Sequence, residues 1–396
     1  MTTTDHLGTY RSKARAFLET HAGQYGWEAR RNLSLAEEVA LAKRWQGVKA
    51  ANGYAAITWP KEFGGAGGTE LEKIIFSTEE AQFGFPAGLL AITLGMPVPM
   101  MLHHATPEQK QRYVPPAVRG EEMWCQLFSE PGAGSDLAAA RLRARRDGDD
   151  WLLDGQKTWT SYAQFCDFGI LVARTDPDAP KHKGLTFFFV DMKAPGVTVR
   201  PIKLLHQHED VNEVFFDNVR IPDANRLGAV NDGFRMAILT LMMERYVAAA
   251  SDDGPPLQAL IDLANARKLR GRPAIEDGRV RAAIAHAYAT QRGLSAIHER
   301  ALEELTAGRE PGAEGSIHKL AAARERHAMA TLALDLMGPS GVAYDSHAKT
   351  RTDYMMSWID GPTLRIAGGT DEMLLNTIAE RILGLPQDHR PDKAPR

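Results

Sequence analysis

A glutamate and an arginine stand side by side at the end of a strongly apolar stretch of this chain. The stretch reads DGFRMAILTLMMERYVAAA, residues 232–250, and the pair is Glu244 and Arg245. Apolar residues from 236 to 243 cover nearly every direction around a helical axis, so we expect a buried helix capped by Asp232. Burying a charge is costly unless it is paired or used in a reaction. A structural ion pair and a catalytic group are both open interpretations.

A second candidate is the stretch FSEPGAGSD, residues 128–136, which passes through two glycines into Ser135. It lacks the third glycine of a dinucleotide-binding fingerprint. One interpretation is a surface turn. The other is a loop whose backbone N–H groups and hydroxyls lie against a flat cofactor or a phosphate.

A third candidate, GQKTWTS at residues 155–161, places Trp159 beside Thr160 and Ser161 near the end of a predicted strand. A tryptophan in such a place is commonly part of the core. Here the neighbouring hydroxyls could bond a heteroaromatic ring while the indole packs against its face.

Three other patterns are weaker candidates. The stretch HQHED, residues 206–210, has metal-ligand residue types, but we expect a solvated loop and predict no metal site. The stretch GPSGV, residues 338–342, lacks the Gly-x-Ser-x-Gly spacing of a nucleophile elbow. His103 and His104 are expected to end a helix rather than to form a catalytic pair.

Two helical regions flank the middle of the chain. In the first, periodicity predicts a helix within residues 35–53 that stops at Gly53, and Thr106 with Pro107 predicts a helix start. Helical periodicity returns after about residue 230. The proposed domain boundaries are 1–119, 120–230 and 231–386, followed by a polar tail at 387–396 that we expect to be disordered.

The middle region consists of short runs rich in β-branched and aromatic residues, such as FGILVAR, GLTFFFVDM and VTVRPI. Turn residues separate them, including the Asp-Gly pairs at 147–148 and 154–155. No helical pattern of 10 to 15 residues lies between the runs. A small antiparallel barrel or sandwich is therefore favoured over a parallel sheet.

The composition limits the class of protein. The 396 residues are 44% hydrophobic and 24% charged, with a formal net charge of −3 and no long basic run, so we expect no nucleic-acid partner. Cys125 and Cys166 are too few for a disulfide framework, which favours a reducing compartment. The first residues lack the apolar core of a signal peptide, and no stretch is expected to span a membrane. We expect a cytoplasmic protein.

The order of these motifs resembles the acyl-CoA dehydrogenase family over nearly the whole chain. The similar stretches are TWPKEFGG, FSEPGAGSD, KTWTS and GGTDEMLLNTIAERILGLP. LVARTDPDAPKHKGLTFFFVDM is most similar to a bacterial branch associated with the breakdown of steroid or other bulky acyl-CoA thioesters. The resemblance implies an α+β fold with an N-terminal α-helical domain, a middle antiparallel β-barrel domain and a C-terminal four-helix bundle.

The resemblance also implies an FAD cofactor and an acyl-CoA substrate. In the family, a carboxylate removes the α-proton of the thioester, a hydride passes from the β-carbon to flavin N5, and an electron-transfer flavoprotein accepts the electrons. By motif position, the implied cofactor contacts are Gln126, Phe128, Ser129, Gly134, Ser135, Trp159, Thr160, Ser161, Arg267, Thr370 and Glu372. The implied substrate contacts are Ser135, Arg245 and Gly369.

The acid that most family members use as the base is missing. They carry it directly before a Gly-Thr pair, and in RIAGGTDEM that place is taken by Gly368. Other members place the base on a long C-terminal helix, immediately before an arginine, and this position coincides with Glu244. An apolar environment raises the pKa of a carboxylate toward a useful value. We expect Glu244 to be the catalytic base, with Arg245 orienting the thioester.

Some departures from the family pattern concern a neighbouring subunit. The stretch RKLRGRP, residues 267–273, has Arg270 where an aromatic residue of an FAD-contacting motif is usual. Leu374 and Leu375 replace a Gln-Arg pair, and SDDGPP at 251–256 interrupts a helix. Homo-oligomers and hetero-oligomers, either dimers or tetramers, are therefore both open. Two alternative functions are an acyl-CoA oxidase and a non-catalytic partner subunit of a heteromeric dehydrogenase.

Overall fold

The computed structural model describes residues 3–206, 208–250, 255–306, 313–343 and 354–387. Side chains are described in these ranges except at 3–5, 243–250, 301–302 and 305–306. The chain divides into two compact units, Met1–Glu244 and Arg245–Arg396. The three domain boundaries expected from the sequence stay a prediction, and the expected tail lies outside the described residues from 388 onward.

The first unit begins with helices over the range in which the sequence predicts them. They are α1 (Thr3–Tyr25), α2 (Trp27–Arg30), α3 (Leu35–Ala51), α4 (Glu70–Glu80), α5 (Ala91–Gly95), α6 (Pro97–His104) and α7 (Pro107–Val118). Ser34 and Glu37 form a reciprocal capping box at α3, and Thr106 caps α7 in the same way. Gly53 follows α3 with a left-handed φ of +74°. Both predicted helix boundaries are confirmed.

One segment bears on the expectation that no stretch spans a membrane. Within the described residues, Ala87–His104 is a helical run that is long and apolar enough to cross a bilayer, judged by length and composition alone. The run is divided among a 3-10 turn at Ala87–Leu90, α5 and α6. Val98, Met100 and Met101 are fully buried in it, as in a core helix. The run is longer than the sequence analysis expects, but length and composition alone do not make it a membrane span.

The middle of the chain forms one sheet. Its strands are β1 (Trp124–Leu127), β2 (Arg143–Asp147), β3 (Asp150–Ser161), β4 (Phe168–Arg174), β5 (Leu185–Asp191), β6 (Val197–Ile202), β7 (Val211–Pro222) and β8 (Arg226–Leu227). Their order is β6-β7-β3-β2-β4-β5-β8, and β1 pairs with β4. Alternate residues of β5 enter two core clusters, Phe187 and Phe189 in one, Phe188 and Val190 in the other. The sheet is therefore buried on both faces.

The sheet is mainly but not wholly antiparallel. Strand β1 runs parallel to β4, with Trp124 beside Phe168 and Leu127 beside Leu171. The N–H of Asp167, just before β4, donates to the carbonyl of Met123, just before β1. The two strands therefore start at the same edge of the sheet and run parallel. Among the described residues β6 and β8 end the path without pairing to each other, so closure into a barrel is not confirmed.

The two Asp-Gly pairs predicted as turns have different structures. The pair at 147–148 closes the hairpin of β2 and β3, as expected. The pair at 154–155 lies inside β3, where the register with β7 shifts. Gly155 has φ +145°, and an added Cβ would lie 2.9 Å from Cα of Leu142. The turn prediction at 154–155 was wrong, because this glycine serves a β-bulge.

The last helix to begin in the first unit is α8 (Gly233–Ala250), and the second unit is helical apart from one small hairpin. Its described elements are α9 (Leu257–Ala266), β9 (Lys268–Leu269), β10 (Arg272–Pro273), α10 (Gly278–Thr306), α11 (Glu314–Met337), α12 (Tyr354–Ile366) and α13 (Asp371–Arg381). Helix α11 packs against α9, α10, α12 and α13, and its Met329 and Ala333 belong to a core cluster shared with α9, α10 and α12. The helical C-terminal region is confirmed, whereas a bundle of four helices is not.

Candidate active site

The glycine loop after β1 is fixed at its two ends and open at its tip. The Glu130 carboxylate accepts hydrogen bonds from the backbone N–H groups of Arg141 at 2.6 Å and Leu142 at 2.9 Å. Gly134 and Ser135 are exposed at the tip, and a Cβ added to Gly134 would meet nothing within 4 Å. The tip therefore has the open backbone of a loop that can lie against a ligand.

A fully buried lysine connects this loop to β3. Lys157 Nζ lies 2.8 Å from Glu130 Oε1 and 3.0 Å from the carbonyl oxygen of Phe128, and its side chain is 0% exposed. The N–H of Thr158 donates to the carbonyl of Ser129 at 2.9 Å. Burial lowers the pKa of Lys157, and the Glu130 carboxylate opposes this change. The loop and the strand are therefore joined by both side chains and backbone.

The next residues of β3 expose Trp159. Its φ is +60°, a left-handed value, and the residue is 60% exposed. The register between β3 and β7 shifts between Lys157 and Thr160, and Tyr162 is also left-handed at φ +56°. Strained backbone at non-glycine residues concentrates at functional sites. The structure thus presents Trp159 as a surface ring, not as the core residue that was the alternative.

Two buried polar side-chain atoms, one on β1 and one next to Trp159 on β3, make no hydrogen bond to any described residue. They are Gln126 Nε2 on β1 and Thr160 Oγ1 on β3. An unpaired buried polar group costs roughly 1–3 kcal/mol, and native proteins pair nearly all of them. A heteroaromatic ring with carbonyl and N–H groups on its edge could pair with both. These residues fit the FAD that the resemblance implies.

The other predicted contacts on the strands differ in exposure. The Phe128 ring is 5% exposed and packs edge-on against Phe187, with the ring centroids 5.8 Å apart. The ring is thus part of the core, and a contact with flavin would have to come from the Phe128 backbone. Ser129 and Ser161 are half-buried, so their hydroxyls stay candidates for the cofactor contacts predicted above.

Helix α8 begins in close contact with β5. An added Cβ at Gly233 would lie 2.5 Å from the carbonyl carbon of Thr186. The Thr186 hydroxyl accepts a hydrogen bond from the N–H of Asn231 at 2.8 Å. Asp232 immediately precedes the helix, and its carboxylate pairs with Arg235. These contacts fix the start of the helix that carries the predicted base.

The middle of α8 is as apolar as the sequence predicts. No described side chain from Met236 to Met242 is exposed, and Met236 itself is 0% exposed. The backbone of Glu244 and Arg245 is helical, but their side chains lie outside the described residues. Their roles as base and orienting group stay predictions.

The turn that contains Gly368 joins α12 to α13. Gly368 and Gly369 have left-handed φ values of +67° and +104°. Thr370 caps α13 by accepting a hydrogen bond from the N–H of Met373 at 3.3 Å, and Lys319 Nζ donates to the Gly369 carbonyl at 2.6 Å. A glutamate at 368 would strain this backbone, because a Cβ disfavours positive φ.

Asp371 anchors the same turn. The residue is 3% exposed, and its Oδ2 accepts hydrogen bonds from Arg324 Nε at 3.0 Å and from Arg365 Nε and Nη2 at 2.9 and 2.7 Å. Burial alone would raise the pKa of Asp371, but the hydrogen bonds from the two arginines outweigh it and hold the pKa below its ordinary value.

Sequence reasoning missed three of these residues, namely Lys157, Glu130 and Asp371. Lys157 and Glu130 are 27 positions apart, and no spacing rule predicts that such a pair meets. A signal was present for Asp371, since an acid directly after a threonine is typical of a helix start.

The remaining predicted cofactor contacts lie at the surface of the second unit. Glu372 is exposed in the first turn of α13. Arg267 follows α9, and its Nη2 lies 3.4 Å from Ser340 Oγ. The hairpin after it turns through Arg270, with φ +51°, so the departure from the family motif stands at the tip of a turn. The roles of Glu372 and Arg267 stay predictions.

The weaker motifs form local structure. His103 and His104 end α6, and GPSGV lies in a 3-10 turn at Gly338–Gly341. In HQHED the N–H of His208 donates to Nδ1 of His206 at 3.1 Å, and Gln207 is outside the described residues. In the part of the chain that the structure describes, no group of three or more metal-ligating side chains is gathered.

Three family matches cover most of the chain in the order of its helical, strand and helical regions. Residues 4–121 match the family described as acyl-CoA dehydrogenase, N-terminal domain. Residues 125–219 match the acyl-CoA dehydrogenase middle domain, and residues 231–383 match the C-terminal domain. The chain therefore belongs to the acyl-CoA dehydrogenase family of FAD-dependent oxidoreductases.

Two curated relatives come from Mycobacterium tuberculosis. Acyl-CoA dehydrogenase FadE34 is 40% identical over 357 residues, which cover 89% of this chain and 48% of the relative. The chain thus spans about half the length of FadE34. Acyl-CoA dehydrogenase IpdE1 is 33% identical over 351 residues, which cover 87% of this chain and 88% of the relative.

Two solved structures have the same fold. The ChsE4-ChsE5 complex from Mycobacterium tuberculosis matches with a TM-score of 0.79 and 26% identity, covering 98% of this chain and 99% of that one. A structure described as the Tcur3481-Tcur3483 steroid ACAD matches with a TM-score of 0.79 and 25% identity, covering 97% and 98%. The expected family, its order of helical, sheet and helical regions, and FAD as its cofactor are confirmed.

Proposed function

We propose that this chain catalyses the α,β-desaturation of an acyl-CoA thioester, with Glu244 as the base that removes the α-proton. One observation carries the proposal. The usual position of the base is occupied by Gly368, whose left-handed backbone disfavours a glutamate, while the apolar helix α8 continues into Glu244. FAD, when bound, supplies the acceptor for the hydride that leaves the β-carbon.

The apolar run on α8 supplies what a proton-abstracting carboxylate needs. A thioester α-proton is weakly acidic, so the base must act where water is excluded and where donors stabilise the enolate oxygen. In this assignment the side chains before Glu244 exclude water, and Arg245 orients the thioester. Ser135 and Gly369 contribute further substrate contacts.

The experiment compares Glu244→Gln with wild type. Both proteins should bind FAD and be yellow, and the variant should lose desaturation of acyl-CoA measured with an artificial electron acceptor. Glu299→Gln, the same change at an exposed position of α10, is the control and should keep wild-type turnover. Unchanged turnover in Glu244→Gln would rule out Glu244 as the base.

The electron acceptor is proposed to be an electron-transfer flavoprotein. This proposal rests on the family, since several acceptors can serve a reduced flavin. The alternative, an acyl-CoA oxidase, passes electrons to dioxygen. Peroxide formed in air at the rate of substrate desaturation would establish the oxidase, whereas slow reoxidation in air with fast reoxidation by the flavoprotein would establish the dehydrogenase.

We further propose that the chain works as a homo- or hetero-oligomer. Of the thirteen large apolar side chains exposed in the described residues, nine lie beyond residue 245, including Trp358, Ile366 and Leu383. Monomers seldom expose many such groups together. The solved ChsE4-ChsE5 complex is a heteromer by its name. If the chain is instead a non-catalytic partner subunit, the protein expressed alone will be colourless, because it will hold no FAD.

The proposed substrate class is a bulky acyl-CoA, such as one derived from a steroid, handled in the cytoplasm. The name of the Tcur3481-Tcur3483 steroid ACAD supports the substrate class. The two cysteines are free and buried, which fits a reducing compartment. A panel of CoA thioesters that compares straight-chain with ring-bearing acyl groups tests the substrate class.

A further inference from the structure

The two segments expected to face the flavin meet at one buried ion pair. Lys157, two positions before Trp159, reaches Glu130 Oε1 at 2.8 Å and the Phe128 carbonyl at 3.0 Å. Its side chain is 0% exposed and that of Glu130 is 8% exposed. A single ammonium group therefore holds the start of the glycine loop against the strand that carries Trp159.

The Glu130 carboxylate also fixes the far end of the loop. Its two oxygens accept hydrogen bonds from the N–H groups of Arg141 and Leu142, eleven and twelve residues further along the chain. Near this end of the loop, the Arg174 guanidinium also donates to the carbonyls of Ala138 and Ala140. Both ends of the loop are thus held, and its tip around Gly134 keeps the open space that a cofactor needs.

The strand needs such support, because its conformation is strained. Trp159 has φ +60° beside the shift in register between Lys157 and Thr160. A left-handed aromatic residue persists only where its surroundings determine it. Those surroundings are the tie at Lys157 Nζ before it and the hydrogen bond from Asn212 Nδ2 to the Thr160 carbonyl at 3.0 Å after it.

Stability alone does not explain the pair. Removing two charges from water is so costly that apolar residues of similar volume often replace a buried ion pair with no loss, or with a gain, of stability. A second buried pair in the same unit, Lys49 with Glu80 at 3.1 Å, joins α3 to α4 far from these segments in the sequence. The two ion pairs are similarly buried, so the effect of removing the lysine from one can be compared with the effect of removing it from the other.

We propose that Lys157 and Glu130 are positioning residues that hold residues 128–136 and 159–161 in the arrangement that receives the isoalloxazine ring before FAD binds. The proposal rests on the proposed function only in assuming that FAD binds these two segments. Preorganised sites bind more tightly, because ordering is not required at the moment of binding. The pair therefore acts on the affinity for FAD and on the geometry of bound FAD.

The test titrates FAD-free protein with FAD and follows the quenching of flavin fluorescence. The variants are Lys157→Met and, as the matched control, Lys49→Met. Both should lower the melting temperature, because each leaves a buried glutamate without its lysine. Only Lys157→Met should raise the dissociation constant of FAD, by about tenfold, equivalent to about 1.4 kcal/mol. It should also change the visible circular dichroism of the bound flavin.

A double variant covers the case in which Lys157→Met does not fold. In Lys157→Met with Glu130→Gln the unpaired buried charge is removed, so folding should recover in part, although the amide can accept from only one of the N–H groups of Arg141 and Leu142. The tie to the Phe128 carbonyl is still missing, so FAD binding should stay weak. Binding by the folded Lys157 variant as tight as in Lys49→Met would overturn the positioning role. A wild-type protein that binds no FAD would instead count against the proposed function and this inference together.

Discussion

Two regions that the sequence assigns to one reaction are held in place in different ways. In the first unit, the segments between Gln126 and Ser161 that are predicted to contact the cofactor are joined by the buried ion pair of Lys157 and Glu130. In the second, the turn at Gly368 is anchored by Asp371, whose partners Arg324 and Arg365 have side chains that are 48% and 45% exposed. Solvent and salt screen a half-exposed pair but reach an interior pair much less.

The anchored turn bears on the proposal that the base is Glu244. Asp371, the cap Thr370 and the hydrogen bond from Lys319 define the backbone of this turn without an acid at position 368. Gly368, which stands where the resemblance implies the base, has a backbone that suits glycine. A turn that is fixed in a conformation suited to glycine supports the proposal that the base lies elsewhere, at Glu244.

The largest expected effect comes from removing the proposed base at position 244 and then placing a glutamate at position 368. Glu244→Gln should lower kcat by about 10²–10⁴-fold, the usual contribution of a general base. Adding Gly368→Glu to that variant should recover no more than about tenfold, because a strained turn misplaces the carboxylate and an error of about 1 Å costs roughly 10²-fold. Single-turnover reduction of the flavin by an acyl-CoA thioester measures both.

Gly368→Ala in the wild-type background is the control for strain. It should lower stability modestly and leave turnover near the wild-type value. If the double variant instead recovers most of the activity, the turn still directs an acid at the substrate, and the strain argument is wrong.

The fold was predictable from the sequence wherever local signals agreed. The apolar, β-branched runs became β4, β5 and β6, and Ser34 with Glu37 began α3 at the expected place. The turn at 154–155 failed because Asp-Gly suits both a hairpin turn and a bulge, and only the pairing partner decides between them. The charged run RARRD gave no apolar alternation, so β2 was missed.

The candidate site was predictable by residue type but not by geometry. Thr160 and Gln126 were predicted as cofactor contacts, and the structure leaves a polar atom of each unpaired among the residues it describes. The left-handed φ of Trp159 could not be predicted, since nothing in its own sequence favours that conformation. Neither could the Lys157–Glu130 contact, which depends on how β3 meets the loop after β1.

The next largest effects come from two glycines in the first unit. Gly134→Ala adds a Cβ that meets nothing within 4 Å, so unfolding should not change, while FAD affinity should fall if the cofactor lies over the loop. Gly155→Ala combines φ +145° with an approach of 2.9 Å to Leu142 Cα and should destabilise the protein by about 1–3 kcal/mol. Chemical unfolding and FAD titration together separate the two effects.

If Gly134→Ala lowers the free energy of unfolding as much as Gly155→Ala does, the loop tip is packed in solution. Unchanged FAD affinity in Gly134→Ala would place the cofactor away from the tip. Either result would contradict the description of a loop that is fixed at its two ends and open at its tip.

A smaller effect is expected at Asp371 in the second unit. Its pKa is held below the ordinary value, so its contribution to stability is present above the unfolded pKa of about 3.9 and is lost as the pH falls through the folded pKa. Asp371→Asn should therefore destabilise the unit by about 1–2 kcal/mol at pH 7, since its arginine partners are half-exposed. Melting temperatures between pH 3 and pH 8 measure the difference from wild type.

The control is Asp335→Asn, at an exposed position of α11, which should behave as wild type at every pH. The gap between Asp371→Asn and wild type should narrow as the pH falls below about 3.9, because the stabilisation is lost between the unfolded pKa and the lower folded pKa. A gap that stays constant down to pH 3 would mean that Asp371 acts through packing rather than through its charge.

The smallest effect separates two roles of Thr370. Its hydroxyl accepts one hydrogen bond at 3.3 Å, and the residue that could return a bond, Met373, has no side-chain oxygen to do so. At α7, Thr106 and Gln109 bond reciprocally. Thr370→Ala should thus cost about 0.5 kcal/mol and Thr106→Ala about 1 kcal/mol, both within the range for lost caps. Because the structural cost at Thr370 is small, a larger loss of FAD affinity in Thr370→Ala than in Thr106→Ala would identify Thr370 as a cofactor contact, whereas equal affinities would leave it only a cap.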